Sequence, residues 1–142
     1  PVDLSENPLI HKDNILVPVD VVLEDKREVM ASEVGSEDKI LDIGTQSVEA
    51  LTSHIQNAKT ILWNGPLGYY EGGFDTATKA VAKLIAESDA FSGGGGGDTV
   101  AAIESLGLSD KFGFLSTAGG AMLEYLEKGT LPGIEALTKS HI

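Results

Sequence analysis

The residues whose types and spacing could do chemistry are Ser92-Gly93-Gly94-Gly95-Gly96-Gly97-Asp98-Thr99. Five glycines run into an Asp-Thr pair, and an apolar, helix-favouring run follows from Val100 to Glu104. Glycine lacks a Cβ, so a ligand can reach the backbone and φ > 0 is accessible. Asp98 or Thr99 would cap the helix that follows. A helix N-terminus with bare amides is an anion site. The glycines alone read equally as a flexible spacer; the Asp-Thr pair and the helix behind them favour a phosphate loop. A Walker A loop ends in Gly-Lys-Ser/Thr, and here Asp98 stands in the lysine position. The spaced Gly-x-Gly-x-x-Gly of dinucleotide folds is missing as well. An acid beside a phosphate makes sense with a metal between them, because Mg²⁺ is held by one or two carboxylates plus substrate phosphates.

Such a loop needs elements to position it. The chain has 142 residues, enough for one domain. No stretch of about 20 apolar residues predicts a membrane span, and no leader precedes a cleavage site. Cysteine is absent, which excludes disulfide and thiol chemistry and fits a cytoplasmic protein. The formal net charge of −12 argues against a nucleic-acid surface. The positive partners of a phosphate must then be amides, a metal or lysines elsewhere. Pro1-Val2-Asp3 reads as the interior of a longer chain.

Leu4, Leu9 and Ile10 read as the remains of a helix. Ile15 to Leu23 is a continuous apolar run, read as a strand buried on both faces as in parallel sheets, with a bulge or strand end at Pro18. Glu24 to Lys39 reads as a charged surface excursion with one edge strand. Ile40 to Gly44 is a short strand, after which Thr45 or Ser47 caps a helix with Val48, Leu51 and Ile55 on one face. Thr60 to Pro66 is a strand ended by turn residues. Thr76 to Glu87 is a helix with Ala77, Ala80, Val81, Leu84 and Ile85 inward. Asp98 to Leu106 is a helix stopped by Gly107, and Phe112 to Thr117 a strand. Ala121 to Lys128 is a helix opened by Gly119-Gly120 and stopped by Gly129. Leu131-Pro132-Gly133 is a turn, and Ile134 to Leu137 a last apolar contact. Strands alternating with helices predict a parallel α/β sheet, whose ligands bind at the carboxyl ends of the strands. Three loops would line that rim: Trp63 to Gly68, the glycines with Asp98-Thr99, and Ser116 to Gly120.

Trp63-Asn64-Gly65-Pro66 with Gly68 and Glu71, Gly95 to Thr99, Ser116 to Glu124 and Leu131-Pro132-Gly133 together resemble phosphoglycerate kinase. Leu16 to Val22 and Leu41-Asp42-Ile43-Gly44 fit the same family in the same order. The resemblance implies an α/β, Rossmann-like three-layer domain with a mostly parallel sheet, incomplete relative to the family. Residues 1–142 would be most of the C-terminal nucleotide-binding domain, without the N-terminal substrate domain. The family's glycolytic reaction moves the acyl phosphate of 1,3-bisphosphoglycerate to MgADP, giving ATP and 3-phosphoglycerate. By resemblance, Asp98 is the metal-nucleotide carboxylate, and Gly95, Gly96 and Gly97 with Thr99 form the phosphate-facing backbone. Asn64 reaches a nucleotide phosphate and Glu71 the ribose hydroxyls, while Gly44, Pro66 and Gly68 border the adenosine. Gly97, Gly119 and Gly120 offer amides to the transferring phosphoryl group. ADP or ATP with Mg²⁺ is the implied ligand. The phosphoglycerate is reached through the missing domain, and the intact enzyme is a monomer. Its phosphate-binding lysines would lie upstream of Pro1, so the chain alone is expected to be inactive. The alternative reading is a non-catalytic nucleotide-binding α/β module.

The sequence departs from the family at Gly93 and Gly94, where two apolar strand residues are usual, and at Ala118, where a glycine is usual. His11, His54 and His141 match no family site, and Trp63 reads as core packing.

Overall fold

The computed structural model describes residues 14–139. The expected helical remnant at Leu4, Leu9 and Ile10 lies outside them, as do His11 and His141. The first sheet is a small antiparallel ribbon of β1 (Asp20–Leu23), β2 (Glu28–Met30) and β3 (Ile40–Ile43), in the order β2-β1-β3. Lys26 takes a left-handed φ of 67° in the short turn that folds β2 back on β1. This corrects the expectation of one long, doubly buried parallel strand over Ile15 to Leu23. Only its last residues pair, and they pair antiparallel. Ile15, Leu16, Val17 and Val19 are exposed. The apolar run thus reported neither burial over its first half nor strand direction, and Pro18 cannot donate to a ladder.

α1 (Thr45–Asn57) leads to the second sheet, which is parallel: β4 (Thr60–Asn64), β5 (Phe91–Gly95) and β6 (Phe114–Ser116), in the order β4-β5-β6. α2 (Thr76–Ala86), α3 (Gly97–Ser105) and α4 (Gly119–Lys128) follow as connections and cover, and α5 (Pro132–Lys139) closes the described chain. The fold class is therefore α/β, with a parallel sheet flanked by helices. α5 replaces the expected turn at Leu131-Pro132-Gly133. Proline suits a first helical position, where its missing N–H is not needed. Ile134 and Leu137 lie on this helix and are exposed rather than buried.

Side chains alternate across β4 and β5. Trp63 and Ile61 face α1, α2 and α3, where Ile55, Val81, Ala82, Ile85, Ile103 and Phe112 form the core. Trp63 packs on Phe112 with ring centroids 6.5 Å apart, so it is a core residue. Leu62, Phe91 and Phe114 face the other side, which α4 covers only at the strand ends. They remain about half or more exposed and line an apolar groove of about 780 Å³ with Tyr125 and Leu126. Among the described residues, no helix is long and apolar enough to cross a membrane.

Candidate phosphate-binding cleft

Parallel pairing brings Asn64, Gly95 and Ser116 side by side at the carboxyl ends of β4, β5 and β6. The three loops expected at this rim meet there. They enclose a cleft of about 420 Å³ lined by Asn64, Gly65, Pro66, Gly96, Gly97, Asp98, Thr99, Thr117, Ala118, Gly119 and Gly120.

Of the glycine run, Gly96 and Gly97 line the cleft, whereas the expected site residue Gly95 stays buried in the strand beneath and does not. Gly93, Gly94 and Gly95 belong to β5. Gly96 turns the chain with φ +94°, a conformation open to glycine, and its N–H donates to Ser116 O at 2.9 Å. α3 begins at Gly97, with Gly96 as its cap residue and no side-chain cap bond. Asp98 and Thr99 therefore do not cap the helix as expected; they lie inside its first turn. The left-handed glycine ends the strand early enough for the helix to start one residue sooner. Asp98 is exposed, whereas Thr99 is fully buried, and its Oγ1 accepts the Gly65 N–H at 2.8 Å. α4 likewise starts at Gly119 behind Ala118, again without a side-chain cap. Ala118 has φ −104°, so the alanine there meets no strain.

These two helix starts differ from the other two that the sheets support. In α1, the Thr45 N–H donates to Glu28, and the Gln46 and Ser47 N–H groups donate to the Asp20 carboxylate at 2.9 and 2.7 Å. In α2, the Ala77 N–H donates to Asp42 Oδ2 at 3.2 Å. Thr45 and Ser47 are thus not the caps of α1: Gly44 is the cap residue and the strands supply the acceptors. The first amides of any helix lack intrahelical partners, and the aligned peptide dipoles favour negative charge there. The chain fills α1 and α2 with its own carboxylates. α3 and α4 open onto the cleft with no side-chain cap.

Asn64 Oδ1 is the point where β4, β5 and α4 converge. A Cβ on Gly119 would fall on that oxygen and lie 2.8 Å from Gly96 N. A Cβ on Gly95 would meet the Met122 side chain and lie 2.8 Å from Asn64 Oδ1. A Cβ on Gly97 or Gly120 would meet nothing within 4 Å. Glycine at 95 and 119 is thus a packing requirement, while at 97 and 120 it leaves the amides unobstructed.

The remaining expected site residues are not brought to this cleft. Gly44 lines a different cavity with Glu28, Asp42 and Phe74, and a Cβ on it would collide with the Asp20 carboxylate. Gly68 is pressed against Asp42 and the Phe74 carbonyl. Glu71 sits exposed on the single-turn helix Tyr70–Gly72. Burial alone would raise the Asp20 carboxyl, but bonds from the Ser47 hydroxyl and the Gln46 and Ser47 amides outweigh it and hold it below the usual range. Asp42 is pushed up by burial, with the nearby Asp75 charge adding to it, against the N–H bonds from Ala77 and Ile43.

A family model for phosphoglycerate kinase matches residues 4–129. The chain belongs to the phosphoglycerate kinase family. The phosphoglycerate kinase of Francisella tularensis subsp. novicida (strain U112) is 46% identical over 137 residues, covering 91% of this chain and 35% of that protein. That of Haemophilus influenzae (strain ATCC 51907 / DSM 11121 / KW20 / Rd) is 49% identical over 113 residues, covering 79% of this chain and 29% of that protein. Among solved structures, phosphoglycerate kinase from Coxiella burnetii superimposes with a TM-score of 0.75 at 39% identity, over 84% of this chain and 33% of that one. The Pyrococcus horikoshii OT3 phosphoglycerate kinase gives 0.73 at 33% identity, over 86% and 32%. The chain spans about a third of the length of the curated relatives it matches.

Against the apolar pair usual in phosphoglycerate kinases, Gly93 and Gly94 sit differently. A Cβ at Gly93 would find its nearest neighbour, Leu62, at 3.6 Å, which is ordinary contact. At Gly94 it would crowd the side-chain ends of Leu115 and Ile103 at 2.8 and 3.0 Å. Sequence reasoning missed the carboxylates Asp20 and Asp42 as helix-start acceptors. A lone acid inside an apolar strand run was their available signal. It also missed the buried Thr78 hydroxyl, which accepts the Leu67 N–H at 3.0 Å and for which the sequence carries no signal.

Proposed function

We propose that this chain is the nucleotide-phosphate-binding part of a phosphoglycerate kinase. The intact enzyme would reversibly move the acyl phosphate of 1,3-bisphosphoglycerate to MgADP in glycolysis. The single observation that carries the reading is the pair of uncapped helix starts, α3 and α4, opening on one cleft beside one exposed carboxylate. In the transfer, the P–O bond to the acyl oxygen breaks and a bond to a β-phosphate oxygen of ADP forms, leaving the carboxylate of 3-phosphoglycerate. Phosphoryl transfer asks the protein for positioning and charge neutralisation rather than covalent chemistry. The amides of Gly97, Asp98 and Thr99 would hold nucleotide phosphate. Those of Gly119 and Gly120 face the same space and would take the phosphoryl group in transit. Asn64 would orient a phosphate from the β4 side.

The donor set fits Mg²⁺. Among the described residues no cluster of three or more His, Cys, Asp or Glu forms a metal cage, and a nucleotide-borne Mg²⁺ needs only one or two carboxylates. Asp98 would hold it, and when bound it would neutralise charge on the transferring group. Glu71, Gly44, Pro66 and Gly68 remain the proposed ribose and adenosine neighbours, and Pro66 is the one of them that lines the phosphate cleft. We place the phosphoglycerate on the two thirds of the relatives that this chain does not cover, and for that reason assign no turnover to the chain alone. A cytoplasmic, monomeric intact enzyme belongs to the same reading.

The test is calorimetric titration of MgADP into the full-length protein carrying this sequence. Asp98→Asn should weaken MgADP at least about tenfold, or ~1.4 kcal/mol, while leaving metal-free ADP little changed. Absence of MgADP binding by the wild-type full-length protein would sink the reading. Binding without ATP formation in a coupled assay would instead favour the non-catalytic module.

A further inference from the structure

The cleft wall at Gly65 and Pro66 leaves the end of β4 at Asn64 and runs on as irregular backbone through Leu67 and Gly68, and something must fix its height. Pro66 has no N–H, so Gly65 and Leu67 carry the donors on either side of it. Both end on buried threonine hydroxyls. The Gly65 N–H donates to Thr99 Oγ1 at 2.8 Å, and the Leu67 N–H donates to Thr78 Oγ1 at 3.0 Å. Each threonine is fully buried and sits near the start of a different helix, Thr99 in α3 and Thr78 in α2. Beyond them, the Tyr69 N–H donates to Leu41 O at 2.7 Å, so the segment is pinned to the ribbon as well. Thr99 lines the cleft, whereas Thr78 does not.

We infer that Thr78 is a positioning residue for the nucleotide site, a role that rests on the function proposed above. Its hydroxyl holds Leu67, and through the short Pro66 link it sets where Asn64 stands relative to the amides of α3 and α4. The tolerance is small, because Asn64 Oδ1 already abuts the glycines of both β5 and α4. Losing the hydroxyl leaves a half-buried N–H without its acceptor, and the loop relaxes to regain one from water. The wall then moves while the two helix starts stay.

The test uses the full-length protein with Thr78→Val, which keeps the shape and removes the acceptor, and Thr78→Ser, which keeps the acceptor and removes the methyl. T78V should weaken MgADP by roughly 5- to 100-fold, raising KM for ADP more than it lowers kcat. T78S should bind MgADP within about threefold of wild type, even where its melting temperature falls. Amide hydrogen exchange without nucleotide should show faster exchange at Leu67 in T78V and wild-type exchange in T78S. A T78V protein that loses thermal stability but keeps wild-type MgADP affinity overturns the inference. So does a T78S protein that loses affinity, a result that holds even where T78V fails to fold. If wild type itself binds no MgADP, the function proposed above fails and the positioning role falls with it. The Leu67 exchange comparison then still shows whether the hydroxyl clamp exists.

Discussion

Gly119 and Gly120 are adjacent, both open α4, and both line the cleft, yet adding one methyl to each should act in opposite directions. At Gly119 the new Cβ would fall on Asn64 Oδ1 and lie 2.8 and 2.9 Å from the N and Cα of Gly96. Gly96 cannot step aside: its N–H is bonded to Ser116 O, and it holds the left-handed turn between β5 and α3. The helix start must retreat instead. Overpacking of this kind costs about 1–3 kcal/mol, offset by at most about 1 kcal/mol of helix propensity gained over glycine. At Gly120 the new Cβ meets nothing within 4 Å, so only the gain of about 0.5–1 kcal/mol remains. Gly119→Ala should therefore lower the urea midpoint of the full-length protein, and Gly120→Ala should raise it or leave it unchanged. The retreat of α4 should also weaken MgADP in G119A, because its amides leave the cleft rim. Equal urea midpoints and equal MgADP affinities for G119A and wild type would refute the packing argument.

Three further outcomes follow from the same contacts. Asp20 sits below its ordinary value of 3.8, so its contribution is present above that pH and is lost as pH falls through the lower folded value. Asp20→Asn should thus cost about 1–3 kcal/mol near neutrality, and the gap to wild type should close below about pH 4 in chemical denaturation. Ser92 Oγ is buried without a hydrogen-bond partner, and Ser92→Ala should stabilise by up to about 1 kcal/mol, read from the urea midpoint. Gly93→Ala, whose Cβ would make only ordinary contacts, should stabilise by about 0.5–1 kcal/mol, whereas unchanged or lower stability would show that the strand needs glycine there.

The parallel half of the fold was legible because its signals are local. Apolar runs in β4 and β6 end in turn residues, the helices have a clear apolar face, and Gly107 and Gly129 stop helices with left-handed φ. The meeting of the three loops at one cleft was legible because one rule, ligands at strand carboxyl ends, unites them. The ribbon was not, since the apolar run Ile15 to Leu23 is buried only from Asp20 onward and carries nothing about strand direction. The caps of α1 were missed because their acceptors lie 26 and 27 residues away on β1, beyond any local pattern. Thr78 was missed for the same reason. Its partner is a loop amide 11 residues earlier, and threonine in a helix has no distinguishing spacing.

The half-covered face of the parallel sheet has a colloidal consequence. Leu62, Phe91 and Phe114 offer a sticky patch, while the chain as a whole bears a formal charge of −12. Like charge keeps copies of the isolated chain apart only while the ions around them screen weakly, and the screening length falls from about 10 Å at 0.1 M salt to about 3 Å at 1 M. Added salt removes the repulsion and leaves the apolar attraction. Added salt is then a condition under which this sheet face governs how the isolated chain behaves.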